Sequence, residues 1–228
     1  MTIFEYFRSP HPWFDTGNYA PYQIVLFLTG ALLWVGVYVD TIKSITKKRT
    51  LNIPLIAICL NFGFEVTTSF TFVPDMGNVL VMAYWAWMIL DIFIVISMFK
   101  YGYKQIRINY ILKNLTSFLI LGLLAGFFTQ FFFIHRYDLP MAPLAGYMIN
   151  LVMSVCFIYL VFIPGYEGNS LVTAWAKFLG TGLISIMFFT KYPDNNFLTS
   201  LYVFTAIFDI SYIYLLYKVK ITLREKAH

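Results

Sequence analysis

Long apolar blocks separated by short polar connections run along this chain. Seven blocks, at 22–39, 54–73, 79–98, 115–134, 141–162, 171–189 and 197–217, each approach the roughly 20 apolar residues that a helix needs to cross a bilayer. The connections carry helix breakers: Val73-Pro74-Asp75-Met76-Gly77, Ile163-Pro164-Gly165 and Tyr192-Pro193-Asp194-Asn195. This pattern predicts an all-α polytopic membrane protein, a bundle of seven transmembrane helices. Residues 1–21, with Pro10, Pro12 and Gly17, read as a short amphipathic or irregular lead-in. Residues 22–217 form the membrane domain and 218–228 a basic tail. The first block lacks a small-residue cleavage site and is therefore read as a span rather than as a signal peptide.

Composition removes the soluble alternative. Of the 228 residues 60% are hydrophobic and 12% charged, whereas an ordinary soluble domain is about a quarter charged. Aromatic residues make up 20% of the chain, more than two interfacial belts require. Cys59 and Cys156 lie inside apolar blocks and form no disulfide or metal pattern. The net charge of +5 is read as topology rather than as nucleic-acid binding, because the cations are distributed asymmetrically. Lys43, Lys47, Lys48 and Arg49, then Lys100, Lys104, Arg107 and Lys113, then Lys218, Lys220, Arg224 and Lys226 all fall on one side. Only Arg8, Arg136 and Lys191 fall on the other. By the positive-inside rule the N-terminus is outside or lumenal and the C-terminus cytosolic. The membrane would be a bacterial inner membrane or the endoplasmic reticulum, according to source.

Three acids remain inside the blocks: Glu65, Asp91 and Asp209. An ionisable group at mid-membrane costs about 2.5–3.5 kcal/mol on insertion scales, so it usually faces the bundle interior and often marks function. At about 1.5 Å per residue, Glu65 lies roughly 12 Å from the outer edge and Asp91 and Asp209 roughly 18 Å, so all three can border one cavity. Asn61 and Glu65 are spaced i, i+4 and share a helix face. Tyr84, Trp87 and Asp91 share another face, as do Tyr202, Thr205, Asp209 and Tyr212. Burial disfavours the charged form of a carboxyl group, and a carboxylic acid kept neutral near pH 7 is a proton donor. Aromatic faces stabilise a nearby cation. A proton donor beside aromatic faces suits carbocation chemistry, although most of the aromatics serve packing. Lys177, about six residues inside the sixth block, either snorkels to the interface or pairs with an intramembrane acid or a substrate group.

Other chemistries lack their residues. No Asp-Asp-x-x-Asp or Asp-x-Asp-Asp run holds magnesium and a diphosphate, and no glycine-rich phosphate loop occurs. His11, His135 and His228 lie outside the spans and do not cluster, so no metal site is expected. The seventh block has no mid-helix lysine for a retinal Schiff base.

Read in order, the segments resemble the small integral-membrane terpene cyclases of fungal meroterpenoid and indole-diterpene pathways, the pyripyropene and paspaline type, which has bacterial relatives. Asn52-Ile53-Pro54-Leu55-Ile56-Ala57-Ile58-Cys59-Leu60-Asn61-Phe62-Gly63-Phe64-Glu65 is similar to that family's MPL-x-AL-x-LN-x-x-WE. Trp87-Met88-Ile89-Leu90-Asp91-Ile92-Phe93-Ile94-Val95 resembles its W-x-x-x-D-x-x-x-V. Gly168-Asn169-Ser170 follows, then Ala174-Trp175-Ala176-Lys177-Phe178-Leu179-Gly180-Thr181. Phe208-Asp209-Ile210-Ser211-Tyr212-Ile213-Tyr214-Leu215-Leu216-Tyr217 resembles its D-x-x-Y-x-x-L-L-Y. The resemblance implies a seven-helix bundle that cyclises a linear prenyl chain, commonly an epoxidised one, after protonation by an acidic residue. It carries the two essential acids over to Glu65 and Asp209 and gives Lys177 a matching position. Phe64 departs from it by standing where the family usually has Trp, a change that reshapes the pocket.

The expected activity is a metal-independent, proton-initiated cyclisation of a linear prenyl chain or a prenylated aromatic, with no cofactor. Glu65, held by Asn61, would protonate the substrate, and Asp209 would act as relay partner or terminating base. Asp91 would lend structural support, and Phe64, Tyr84, Trp87 and Tyr212 would line the pocket. Expected partners are membrane lipids and a hydrophobic linear terpenoid, with no nucleic acid. The rival reading is a small seven-helix proton-coupled transporter, in which intramembrane acids carry protons or bind solute. No repeat of three helices and no counterpart of Glu65 in a second half favours it. A receptor or assembly protein would need neither the acids nor a pocket.

Overall fold

The computed structural model describes residues 3–73 and 76–225, the side chains of 220–225 excepted. Pro74, Asp75 and Lys226 therefore lie outside the described residues, as do the side chains of Lys220 and Arg224. The elements are α1 (Ile3–Tyr6), α2 (Pro21–Lys43), α3 (Leu55–Phe70), α4 (Asn78–Tyr101), α5 (Asn109–Lys113), α6 (Leu115–Tyr137), α7 (Pro143–Val161), α8 (Leu171–Lys191) and α9 (Asn196–Glu225). No strand occurs among the described residues. A π-helical turn, Ser44–Lys48, extends α2, and a 3₁₀ turn, Gly102–Gln105, follows α4.

Six of these helices are long and apolar enough to cross a membrane, and α3 is a shorter apolar helix. The sequence predicts a full span at 54–73, but α3 has 16 residues and ends at Phe70. That length reaches about 24 Å, short of the roughly 30 Å hydrocarbon core. The hydroxyls of Thr67, Thr68 and Thr71 donate back to the carbonyls of Gly63, Phe64 and Thr67. Val73 precedes Pro74, a position that disfavours helix. A short helix is tolerated here because α3 is interior: it packs against α4, α6 and α7 and buries both apolar residues and Glu65, Thr67, Thr68 and Ser69. At the other end of the chain, α9 carries helix through most of the segment read as a tail. No Gly or Pro interrupts residues 210–225, and cations suit a helix C-terminus.

Two helix pairs, α2 with α8 and α3 with α6, form the most extensive packing, and each is built on facing glycines. A Cβ on Gly63 would lie 2.5 Å from the Gly126 carbonyl, and one on Gly30 would lie 2.7 Å from the Gly180 oxygen. Such close backbone approach is how membrane helices associate when the surrounding lipid offers no hydrophobic advantage. α7 completes the bundle against α9. One end is tied by Asp40, which accepts from Thr173 Oγ1 at 2.7 Å and Asn52 Nδ2 at 3.2 Å. At the other end the lead-in folds over α4: the amides of Asn78 and Val79 donate to the carbonyls of Pro12 and Trp13, and Tyr6 donates to Asn78 Oδ1 at 2.9 Å. Backbone donors left open at a helix start are thereby satisfied.

Candidate functional site

α2, α3, α4, α7 and α8 line a cavity of about 110 Å³. Its walls include Phe27, Trp34 and Tyr38 from α2, Asn61, Phe64 and Glu65 from α3, and Tyr84 and Trp87 from α4. Gly146, Tyr147 and Asn150 of α7 and Thr181, Ile184 and Phe188 of α8 close the far side. Met141, Ala142 and Pro143 form one end. Met141 and Ala142 hold left-handed backbone, with φ of 71° and 54°, a strained arrangement for residues with a Cβ. Asp138 holds this corner by accepting the amides of Leu139, Leu144 and Ala145 at 2.8, 2.9 and 2.7 Å.

Glu65 is 4% exposed, and its Oε2 has no hydrogen-bond partner among the described residues. Two further cavity residues carry unpartnered buried atoms, Asn150 Oδ1 and Thr181 Oγ1. Buried polar atoms are normally paired, because leaving one unpaired costs about 1–3 kcal/mol. Three such atoms around one cavity favour an occupant that hydrogen-bonds to them. Part of the remaining wall is aromatic: the rings of Phe64 and Tyr84 lie 5.9 Å apart, and those of Tyr84 and Trp87 meet edge to face at 5.6 Å.

Asn61 does not hold Glu65 as its spacing suggested. Its Nδ2 donates to Asp91 Oδ2 at 2.7 Å and lies 3.5 Å from the Tyr38 hydroxyl. The i, i+4 spacing puts Asn61 on Glu65's face, but the carboxylate of α4 is within reach of its amide and takes the bond. Asp91 is buried and borders a separate cavity of about 20 Å³, which shares Trp34, Tyr38 and Asn61 with the larger one. Tyr38 and Asn61 thus stand between the two acids.

Asp209 is also apart from the cavity. Lys177 Nζ donates to Asp209 Oδ1 at 2.7 Å and Oδ2 at 2.9 Å, and to Ser154 Oγ at 2.7 Å. Both ions are buried, Lys177 at 1% and Asp209 at 3% exposure. Lys177 therefore pairs and does not snorkel: its ammonium is buried against a carboxylate and a hydroxyl. Of the three acids expected around one cavity, only Glu65 lines it. Tyr212 is likewise remote: its ring lies 5.0 Å from Phe157 and its hydroxyl donates to Asn169 Oδ1 at 3.4 Å. Among the other sequence-predicted residues, Asn61, Phe64, Tyr84 and Trp87 do line the cavity.

Sequence reasoning missed Phe27, Trp34, Tyr38, Asn150 and Thr181. Trp34 and Tyr38 are spaced i, i+4, and Asn150 and Thr181 are uncharged polar residues inside apolar blocks. Those are faint signals.

Comparisons with known proteins bear on the family. The family model of Pyr4-like transmembrane terpene cyclases matches residues 15–222. The Pyr4-family terpene cyclase mfmH of Annulohypoxylon moriforme is 25% identical over 121 residues, covering 53% of this chain and 49% of that protein. The chain thus spans about half the length of this curated relative in the matched region. No solved structure matches.

Proposed function

Because the chain belongs to the Pyr4-like transmembrane terpene cyclase family, we propose that it cyclises a linear prenyl chain, plain or epoxidised, inside the bilayer by proton-initiated, metal-independent chemistry. The observation that carries this reading is the unpartnered carboxyl oxygen of Glu65 in an aromatic-walled cavity. Glu65 gives its proton to an epoxide oxygen or a terminal alkene. The C–O or C=C π bond breaks, neighbouring alkenes capture the resulting cation in turn, and the last cation gives up a proton that restores the Glu65 carboxyl group. The product is then an isomer of the substrate, and the enzyme's proton count is unchanged. Tyr84, Trp87, Trp34 and Phe64 present π faces to the migrating charge. Asn150 and Thr181 hold the oxygen-bearing end of the chain. Water would quench the cation, so a site walled by helices and set in lipid must keep it out during the reaction.

Asp209 serves this reaction by position. Its carboxylate is locked to Lys177, which also donates to Ser154, so the pair ties α9 to α8 and, through Lys177, to α7, and α7 and α8 form one wall of the cavity. The membrane is the endoplasmic reticulum or a bacterial inner membrane, according to source. The test is direct. Purified protein is incubated with epoxidised and plain farnesyl and geranylgeranyl compounds, and products are read by mass spectrometry. Cyclic isomers of a substrate support the reading; recovery of only linear material from monodisperse protein refutes it.

A further inference from the structure

A second, wholly apolar cavity of about 20 Å³ lies behind Phe27, bordered by Leu28, Ala31, Met76, Leu80 and Ala83 among others. Phe27 is 4% exposed and lines both this cavity and the one that holds Glu65, so its ring is the partition between them. The partition falls on a sparsely packed seam of the site. α2 is packed along α8 and α4 along α3, while α2 and α4 touch only marginally. Two alanines, Ala31 and Ala83, border the cavity beyond the ring and offer it little obstruction.

The two compartments differ in chemistry. The larger carries Glu65, Asn61, Asn150 and Thr181, and the smaller is lined by no polar side chain. Ligand cavities usually measure about 300–1,000 Å³, so a cavity of about 110 Å³ leaves part of a polyprenyl chain to be housed elsewhere. At about 20 Å³ the apolar compartment holds little more than a water-sized body, so it houses no isoprene unit itself but gives the Phe27 side chain room to move.

We infer that Phe27 sets the chain length accepted: its ring yields into the small cavity behind it, and the distal isoprene units of the substrate take the place it leaves. The inference rests on the cyclase reading and adds a subsite to it. With its polar end at Glu65, a short chain fits in front of the ring. A longer chain displaces the ring toward Ala31 and Ala83. Phe27→Ala merges the compartments, and Ala83→Phe fills the far one.

The experiment compares kcat/KM for geranyl, farnesyl and geranylgeranyl epoxides in the wild type, in both variants and in Leu121→Ala, which alters an exposed side chain on α6. One additional methylene in an apolar pocket is worth about tenfold or more. The ratio of geranylgeranyl to geranyl turnover should therefore rise at least about tenfold in Phe27→Ala and fall at least about tenfold in Ala83→Phe. Leu121→Ala should leave it unchanged. Monodisperse Phe27→Ala and Ala83→Phe proteins with the wild-type ratio would overturn the assignment. If the wild type turns over no chain at all, the cyclase reading fails separately. The subsite is then decided by thermal stabilisation with the plain prenyl alcohols, whose chain-length preference must shift in the same directions or the inference falls.

Discussion

Glu65 and Asp209 are both buried carboxyl groups inside apolar helices, yet their surroundings differ. Glu65 faces a cavity with one oxygen unpartnered, whereas both oxygens of Asp209 accept from Lys177. Removing one member of a buried ion pair leaves an uncompensated charge and costs about 3–5 kcal/mol, while replacing both by apolar residues is often neutral or stabilising. Asp209→Asn should therefore lower the thermal midpoint and the yield of monodisperse protein sharply. The double variant Lys177→Met/Asp209→Leu should recover both, together with most turnover per folded molecule. A stable but inactive double variant would show that the Asp209 carboxylate is needed chemically, the role its family resemblance implies. Charges in apolar blocks stand out, which is why Glu65, Asp91, Lys177 and Asp209 were legible in the sequence. Their partners were not, because helical spacing reports only neighbours on one helix. Asn61 shares a face with Glu65 but bonds to Asp91 across the bundle. Asn150 and Thr181 carry no charge, and Phe27 is one aromatic residue among many, so little in the sequence set them apart.

At the scale of elements, hydrophobic blocks marked the position of every long helix, since twenty apolar residues in lipid have little alternative to helix. The ends of α3 and α9 differed, because block length measures hydrophobicity and not where backbone hydrogen bonding stops. The packing of the lead-in against the start of α4 could not be read at all, since it depends on backbone carbonyls that any residue carries. Glycine contacts supply the test at this scale. Ala at Gly63 places its Cβ against the Gly126 carbonyl, whereas Ala at Gly182 in α8 meets nothing within 4 Å. Overpacking typically costs about 1–3 kcal/mol, and replacing an interior helical Gly by Ala gains up to about 1 kcal/mol. Thermal unfolding in detergent should show Gly63→Ala below the wild type and Gly182→Ala at or above it. Equal midpoints for the two variants would mean that α3 and α6 do not meet as described.

For the whole molecule, the family was legible because its motifs are spread over several helices and retain the spacing around Glu65, Asp91 and Asp209. The lining of the site was not, since five helices build it and only three of them carry conspicuous residues. Orientation in the membrane follows from the Lys and Arg bias: reporters fused after residues 48 and 104 should read cytosol, and those near 76 and 138 the opposite side. The reverse pattern would invert the topology. The absence of any Asp-rich run from the sequence leads to the expectation that excess EDTA leaves turnover of a non-phosphorylated substrate intact, and a loss restored by Mg²⁺ would refute metal-independent initiation. The central claim is that a proton from Glu65 starts the cascade. Glu65→Gln keeps the shape and most of the hydrogen bonding while removing that proton, so the decisive quantity is cyclic product per molecule of monodisperse Glu65→Gln protein relative to the wild type. General acid catalysis contributes about 10²–10⁴-fold, so a fall of at least about 10²-fold is predicted. A folded variant retaining more than about a tenth of wild-type turnover, well above that range, would remove Glu65 from the mechanism.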